Sequence, residues 1–313
     1  LSTPRVLKTA EELENGLAEL GRSGRPLVFV PTMGDLHEGH LSLVEIGASL
    51  GPVLVSIFVN PTQFGPNEDY RSYPRNLERD LQLLSAIEGV EAVFAPAAAT
   101  MYPPRDSTFV EVMGVGEPLE GEFRPGHLRG VATILAKLFE WIRPEVAVFG
   151  QKDAQQCLVV HRMVQDLRFP VHLVFGPTIR EEDGLAMSSR NRYLDPDQRR
   201  RATCLYRALQ AGRDRLAMGE RDVAVVEKAM FEVFERAGCR PDYASLRRVE
   251  DLARIDRAEG RILLAVAAKV GVARLIDNLC LQVDGQKVEE APLRDDSTPE
   301  AVRVALKGES ESG

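Results

Sequence analysis

Three observations in this 313-residue chain predict an α/β fold built on a parallel sheet, followed by a smaller α+β unit. Short runs of almost purely apolar residues recur at 27–30 (LVFV), 53–59 (VLVSIFV), 92–95 (AVFA), 146–149 (VAVF) and 171–175 (VHLVF). Strands covered on both faces read this way, whereas half-exposed strands alternate. Amphipathic helical patterns separate the runs, as crossovers between parallel strands require. Beyond about residue 180 the order changes to two helical patterns and then two long strand-like stretches. Right-handed crossovers over the first part give a doubly wound, Rossmann-like sheet.

The first fifteen residues are mixed polar and helical in pattern, with no leader-like apolar stretch. The run 27–30 ends at Pro31-Thr32-Met33-Gly34, and a helix carrying Leu41, Val44 and Leu50 on one face follows. Only Ser56 interrupts the second strand. Residues 76–85 read as a helix with Leu77, Leu81 and Leu84 on one side. Pro96 stops the strand at 92–95. Residues 108–112 alternate and are expected as an edge strand. Residues 131–141 are strongly helical up to Pro144, and the strand at 146–149 runs straight into Gly150. A helix over 155–166 and a strand over 171–175 complete this part.

Residues 1–180 are therefore expected to form the sheet domain and 181–285 the smaller one. Within the latter, Asp195-Pro196 is an N-cap followed by proline at the first helical position. It opens a helix expected to run to about Met218, with a second over 223–237. Residues 261–270 and 272–283 read as strands joined tightly at Gly271. From 286 to 313 the chain turns polar and is expected to be a disordered tail.

The chain is 44% hydrophobic and 27% charged, with a net charge of −8. That balance argues against a nucleic-acid footprint, while a local basic pocket for a small anion stays compatible with it. Cys157, Cys204, Cys239 and Cys280 show no paired spacing and read as reduced thiols of a cytoplasmic protein. No apolar run approaches the roughly 18 residues of a membrane span.

Three polar segments lie where such a sheet binds ligands, beyond the carboxyl ends of its strands. The first is Met33-Gly34-Asp35-Leu36-His37-Glu38-Gly39-His40, a strand–turn–helix passage with two histidines in the first helical turn. Helix starts offer free N–H groups and partial positive charge to a phosphate, and the two imidazoles share one side of the turn. Gly39 leaves room for a flat ligand. A purely structural pair and a zinc pair are the competing readings, and zinc would want further ligands. No metal-ligating set is expected from the protein.

The second segment, Gly150-Gln151-Lys152-Asp153, repeats that geometry, with Lys152 as a point cation and Asp153 able to cap the helix. The third, Asn60-Pro61-Thr62-Gln63-Phe64, offers Gln63 as both donor and acceptor. Further on, Met187-Ser188-Ser189-Arg190 joins small hydroxyls to a guanidinium that can fork onto phosphate oxygens.

With these segments placed, the chain resembles the pantoate–β-alanine ligase family from about Arg5 to about Val283. The resemblance is carried by Pro31-Thr32-Met33-Gly34 with His37-Glu38-Gly39-His40, by Ser56-Ile57-Phe58-Val59-Asn60-Pro61 with Gln63-Phe64, and by Tyr73-Pro74-Arg75. Arg124-Pro125-Gly126-His127, Phe149-Gly150 with Lys152-Asp153, Gln155-Gln156 and residues 183–194 (DGLAMSSRNRYL) complete it. Gln151, Ala154 and Leu128 depart from the residues usual in the family.

The resemblance implies ATP-dependent joining of pantoate and β-alanine through a pantoyl-adenylate, releasing pyrophosphate and AMP. It implies ATP contacts from Met33 to His40, from Gly150 to Asp153, at Ile179, and from Met187 to Arg190. His40, His37 and Lys152 would be catalytic, and Gln63 and Gln156 would hold pantoate, with Gln63 also near β-alanine. Mg2+ would ride on the phosphates, with Asp80 as an outer partner, and the protein would be a homodimer. Arg124 and His127 fall in a flap-like segment to which no chemistry is assigned. The alternatives are another nucleotidyltransferase of the same superfamily, a nucleotide-binding module without turnover, and a metal hydrolase.

Overall fold

The computed structural model describes residues 3–21, 24–66 and 68–295. Six parallel strands form the first sheet: β1 (Arg5–Leu7), β2 (Val28–Thr32), β3 (Val53–Ile57), β4 (Val90–Phe94), β5 (Val146–Gly150) and β6 (His172–Gly176). Their order is β1-β4-β3-β2-β5-β6, and every pairing is parallel. The winding reverses between β2 and β5, so a crevice opens beyond the ends of those two strands.

Side-chain alternation divides the strands between two cores. Phe29, Leu54, Phe94, Ala147 and Phe149 face one side, packed with Leu135, Leu138, Phe139 and Val160. Val28, Val30, Val53, Val55 and Val148 face the other, packed with Val44 and Leu84. The covering helices are α1 (Ala10–Leu20), α2 (Glu38–Leu50), α3 (Leu77–Leu84), α6 (His127–Ile142) and α7 (Ala154–Leu167), with short turns α4 (Ala98–Met101) and α5 (Glu120–Phe123) between them.

The second sheet is antiparallel, in the order β10-β9-β8-β7. Its strands are β7 (Pro241–Arg248), β8 (Gly260–Val270), β9 (Ala273–Asp284) and β10 (Lys287–Glu290), with α8 (Pro196–Ala202), α9 (Cys204–Ala217) and α10 (Val223–Arg236) alongside. Leu205, Leu209, Met230 and Phe234 from the helices meet Leu264, Val266 and Leu281 from the strands in a core of their own. The tight β8–β9 turn sits at Gly271, whose φ of 61° suits glycine.

Five expectations differ from the structure. The N-terminal pattern hides a strand, since β1 pairs with β4 before Thr9 and Glu12 form a capping box that starts α1. Residues 108–112 are not a strand; their alternation reflects Val110 and Val112 lying against the core, with the Val110 N–H donating to Thr133 Oγ1 at 2.9 Å. The long helix after Asp195 breaks at Thr203 into α8 and α9. Strand β7 carries Arg247, Arg248 and Asp242, and that charge obscured its period. The tail expected from 286 begins as β10, paired with β9, and Leu293 and Asp295 are buried; its remainder, 296–313, lies outside the described residues.

Among the described residues no helix is long and apolar enough to cross a membrane. The four cysteines are free thiols.

Candidate active site

The turn after β2 is built from backbone that only a few residues tolerate. Gly34 and Asp35 both have positive φ, 80° and 53°. A Cβ on Gly34 would meet Ile57 Cγ2 at 2.9 Å and Asp80 Oδ2 at 3.0 Å. The buried Asp80 carboxylate accepts the N–H groups of Asp35 and Leu36, each at 2.8 Å. Thr32 Oγ1 accepts from the Gly34 N–H at 3.2 Å and donates to the Ser56 carbonyl at 2.7 Å. Asp80 is therefore a backbone anchor, fully buried behind the turn and not in the cleft lining.

His37 is the N-cap of α2, with extended backbone, so it stands just before the helix and not within its first turn. His40 lies in that turn. Their rings stack at 4.0 Å between centroids with a 34° tilt. Gly39 makes this possible: a Cβ there would press the His37 ring at 3.0 Å. Both Nδ1 atoms are buried with no hydrogen-bond partner among the described residues. Burial and the Lys152 ammonium hold the pKa of His37 down at about 4. Burial and the neighbouring imidazole hold His40 down at about 3. Both rings are neutral at pH 7.

The passage after β5 turns through Gln151, Lys152 and Asp153 into α7. Asn278 on β9 donates its Nδ2 to the carbonyls of Gln151 and Lys152, at 3.0 and 2.7 Å. Beside it, Asp277 takes a forked pair from Arg180 at 2.7 and 3.0 Å. Strand β9 of the second sheet thus holds the backbone that carries Lys152.

Gln63 closes a single helical turn, Pro61–Gln63, after β3. Its Oε1 accepts from Asn60 Nδ2 at 3.0 Å and its Nε2 donates to Met33 Sδ at 3.2 Å. Asn60 Nδ2 also donates to the Gly130 carbonyl at 3.1 Å, and the Tyr102 hydroxyl donates to Asn60 Oδ1 at 2.8 Å.

The 187–192 loop docks on the first turn. Ser189 Oγ donates to the Asp35 carbonyl at 3.2 Å, and Arg192 pairs with the Asp35 carboxylate at 2.7 Å. Arg190 is already spoken for, since its guanidinium forks onto Asp69 at 3.0 and 2.8 Å. The Met187 N–H donates to the Ile179 carbonyl at 2.9 Å, which ties the loop to the segment after β6.

These passages line one cleft beyond the ends of β2 and β5, with Met33, His37, Gly39 and His40 on its first wall. Gly150, Lys152, Asp153, Ile179, Met187, Ser188, Ser189, Arg190, Gln63 and Gln156 line it too. Gly34, Asp35, Leu36, Glu38 and Gln151 do not. Gly34 and Asp35 are buried in the turn, Leu36 is in the core behind it, and Glu38 faces solvent. The Gln151 side chain instead accepts from the Leu293 N–H at 2.8 Å.

A comparison of the chain with family models matches pantoate-beta-alanine ligase over residues 5–280. The chain belongs to that family. Joining pantoate to β-alanine is its reaction. The pantothenate synthetase of Roseiflexus castenholzii is 54% identical over 281 residues, spanning 89% of this chain and 99% of that one. The pantothenate synthetase of Moorella thermoacetica is 50% identical over 281 residues, with the same coverage of 89% and 99%. The crystal structure of pantothenate synthetase from Thermus thermophilus superposes with a TM-score of 0.83 at 48% identity, covering 88% of this chain and 98% of that chain.

Several residues that line the ligase cleft carried no sequence signal of their own. Tyr73, buried in its wall, and Asn60 sit inside quoted motifs but had no assigned part. Arg124 and His127 also line it. Their approach depends on α5 and α6 folding over Gln63, a contact between residues about sixty apart that no local spacing reveals.

The half-buried, desolvated imidazoles predict an acid weakness. His37, His40 and His127 have folded-state pKa values of about 4, 3 and 4, against 6.5 for a free ring. Between those limits the unfolded chain binds more protons, so stability is complete above about pH 6.5 and falls as pH drops toward 4. The melting temperature should decline between pH 7 and 5, largely above the range where carboxylates titrate. A flat profile over that interval would contradict the desolvation of the three rings.

Proposed function

We propose that the cleft activates pantoate with ATP and then passes the acyl group to β-alanine. The carboxylate oxygen of pantoate attacks the α-phosphate in line, and pyrophosphate leaves. The β-alanine amine then attacks the acyl carbon of the adenylate, and AMP leaves. The convergence of neutral imidazoles, an ammonium and two primary amides on one crevice at the winding reversal carries this reading. It is supported by the ligase of Francisella tularensis, whose crystal structure is described as complexed with beta-gamma ATP and beta-alanine. That chain is 30% identical, with a TM-score of 0.72 and coverage of 88% and 97%.

His37 and His40 would donate N–H groups to phosphate oxygens, with His40 acting on the charge that develops as pyrophosphate leaves. A bound polyanion raises the proton affinity of both rings, so ATP binding on the acid side of neutrality would be accompanied by proton uptake. Lys152 would neutralise the triphosphate as a point charge. Met187, Ser188 and Ser189 would close over it, and Arg190 would trade Asp69 for a phosphate. Gly34, Asp35, Leu36, Glu38 and Gln151 act through backbone and turn shape. Ile179 would reach adenine or ribose. Gln63 and Gln156 would hold pantoate.

No cluster of three metal-ligating side chains exists among the described residues. Asp153 is the carboxylate of the phosphate passage that lines the cleft. This donor set fits a magnesium ion carried on the triphosphate by phosphate oxygens and water. Such an ion would offset phosphate charge. A sheet domain ending near residue 180 with the rest serving as a lid, a homodimer, and a cytoplasmic setting belong to the same proposal.

The deciding experiment is pyrophosphate–ATP exchange. Label should enter ATP only when pantoate is present, and AMP should accumulate once β-alanine is added. Exchange without pantoate, or preferential exchange with an unrelated acid, would overturn the adenylate route.

A further inference from the structure

His127 opens α6, directly after Gly126 in a left-handed conformation. Its Nδ1 lies 2.9 Å from the Gln63 carbonyl oxygen. A carbonyl can only accept, so Nδ1 carries the hydrogen. Arg124 directs Nη2 at the same oxygen from 3.4 Å. The charged groups around the ring oppose one another: the Arg124 guanidinium disfavours a proton, while Glu120 and Glu68 favour one. Lys152 and Asp153 line the same cleft. Burial dominates and leaves the ring neutral at pH 7, with a pKa of about 4.

A neutral ring with its hydrogen on Nδ1 presents a lone pair at Nε2. That nitrogen has no hydrogen-bond partner among the described residues, and the ring lines the same cleft as Gln63 and Gln156. Locking one nitrogen as donor while leaving the other open is how a neutral histidine is poised as a base.

We propose that Nε2 of His127 takes the proton from the β-alanine nitrogen in the second half-reaction. This rests on the acyl-adenylate reading given above. The amine lone pair forms the new C–N bond while the carbonyl π pair moves onto oxygen. The N–H proton passes to Nε2. Collapse of the tetrahedral centre restores the carbonyl and breaks the C–O bond to phosphate, whose electron pair leaves with AMP. The imidazolium then returns its proton to water. The adenylate phosphate, being anionic, strengthens the base when it is needed.

The test separates the half-reactions in H127N, whose side-chain amide keeps an N–H for the Gln63 carbonyl and removes the base. Pantoate-dependent pyrophosphate exchange should stay within a few-fold of the unmodified enzyme, and single-turnover amide formation should fall about 100-fold or more. The unmodified enzyme should show an acid limb in the aminolysis rate, after correction for the fraction of free amine, and H127N should lack it.

Unchanged aminolysis in the variant would overturn the proposal. So would an equal loss in both half-reactions, because the ring would then only seat Gln63. The acid limb is read on the unmodified enzyme as well, so a variant that misfolds leaves a decisive measurement standing: absence of the limb there refutes the base. Absence of pantoate-dependent exchange in the unmodified enzyme would instead strike the adenylate reading beneath it.

Discussion

Replacing His40 with alanine is expected to lower turnover by about 100- to 10,000-fold without lowering the melting temperature. The two halves of this result have separate causes. The imidazole faces the cleft against His37 and serves the reacting phosphate in the proposed chemistry. Its Nδ1 is buried without a partner among the described residues, so the folded state bears an uncompensated polar group. Removing that group relieves a desolvation cost of about 1–3 kcal/mol, which offsets lost packing. Turnover near the normal value would remove His40 from the mechanism. A collapsed melting temperature would mean that the pair is structural.

The second large effect is expected at Gly130, on the face of α6 that covers Gln63. A Cβ there would lie 2.4 Å from the Thr62 carbonyl oxygen and 2.7 Å from Gln63 Cα. These are backbone atoms, so no side-chain rotation relieves the clash. Alanine is intrinsically better than glycine in a helix by about 1 kcal/mol. Overpacking costs about 1–3 kcal/mol and occasionally more, and contact with rigid backbone places this site at the upper end. G130A should therefore melt several degrees lower, on the order of 5 °C. It should also raise the KM for pantoate, because α6 and the Pro61–Gln63 turn must part. A higher melting temperature would show that the helix shifts freely.

Much of this was legible in the residues because the physics is local. Continuous apolar runs identified β2, β3, β5 and β6, and the two strand–turn–helix passages marked where the cleft lies. What stayed hidden depends on distant partners. Strand β1 has only three residues and is a strand because β4 pairs with it. That Asp80 anchors a turn is invisible locally, because the N–H groups it accepts lie more than forty residues away. Arg190 looked free for phosphate, but Asp69, 121 positions earlier, holds it. The orientation of His127 follows from one carbonyl sixty-four residues before it. Spacing within a motif says which chemistry a segment can offer, whereas its actual engagement is set by whatever the fold folds against it.

The two hydrogen bonds from Asn278 to the Gln151 and Lys152 carbonyls give the ammonium an owner outside its own sheet. If the antiparallel sheet swings outward, those carbonyls must either follow it or lose their donors. If they follow, the cation would shift away from the histidine wall, and in the proposed chemistry its grip on a departing pyrophosphate would slacken as the doorway widens. Exit of the first product and opening of the enzyme would then be a single mechanical event, timed by one asparagine.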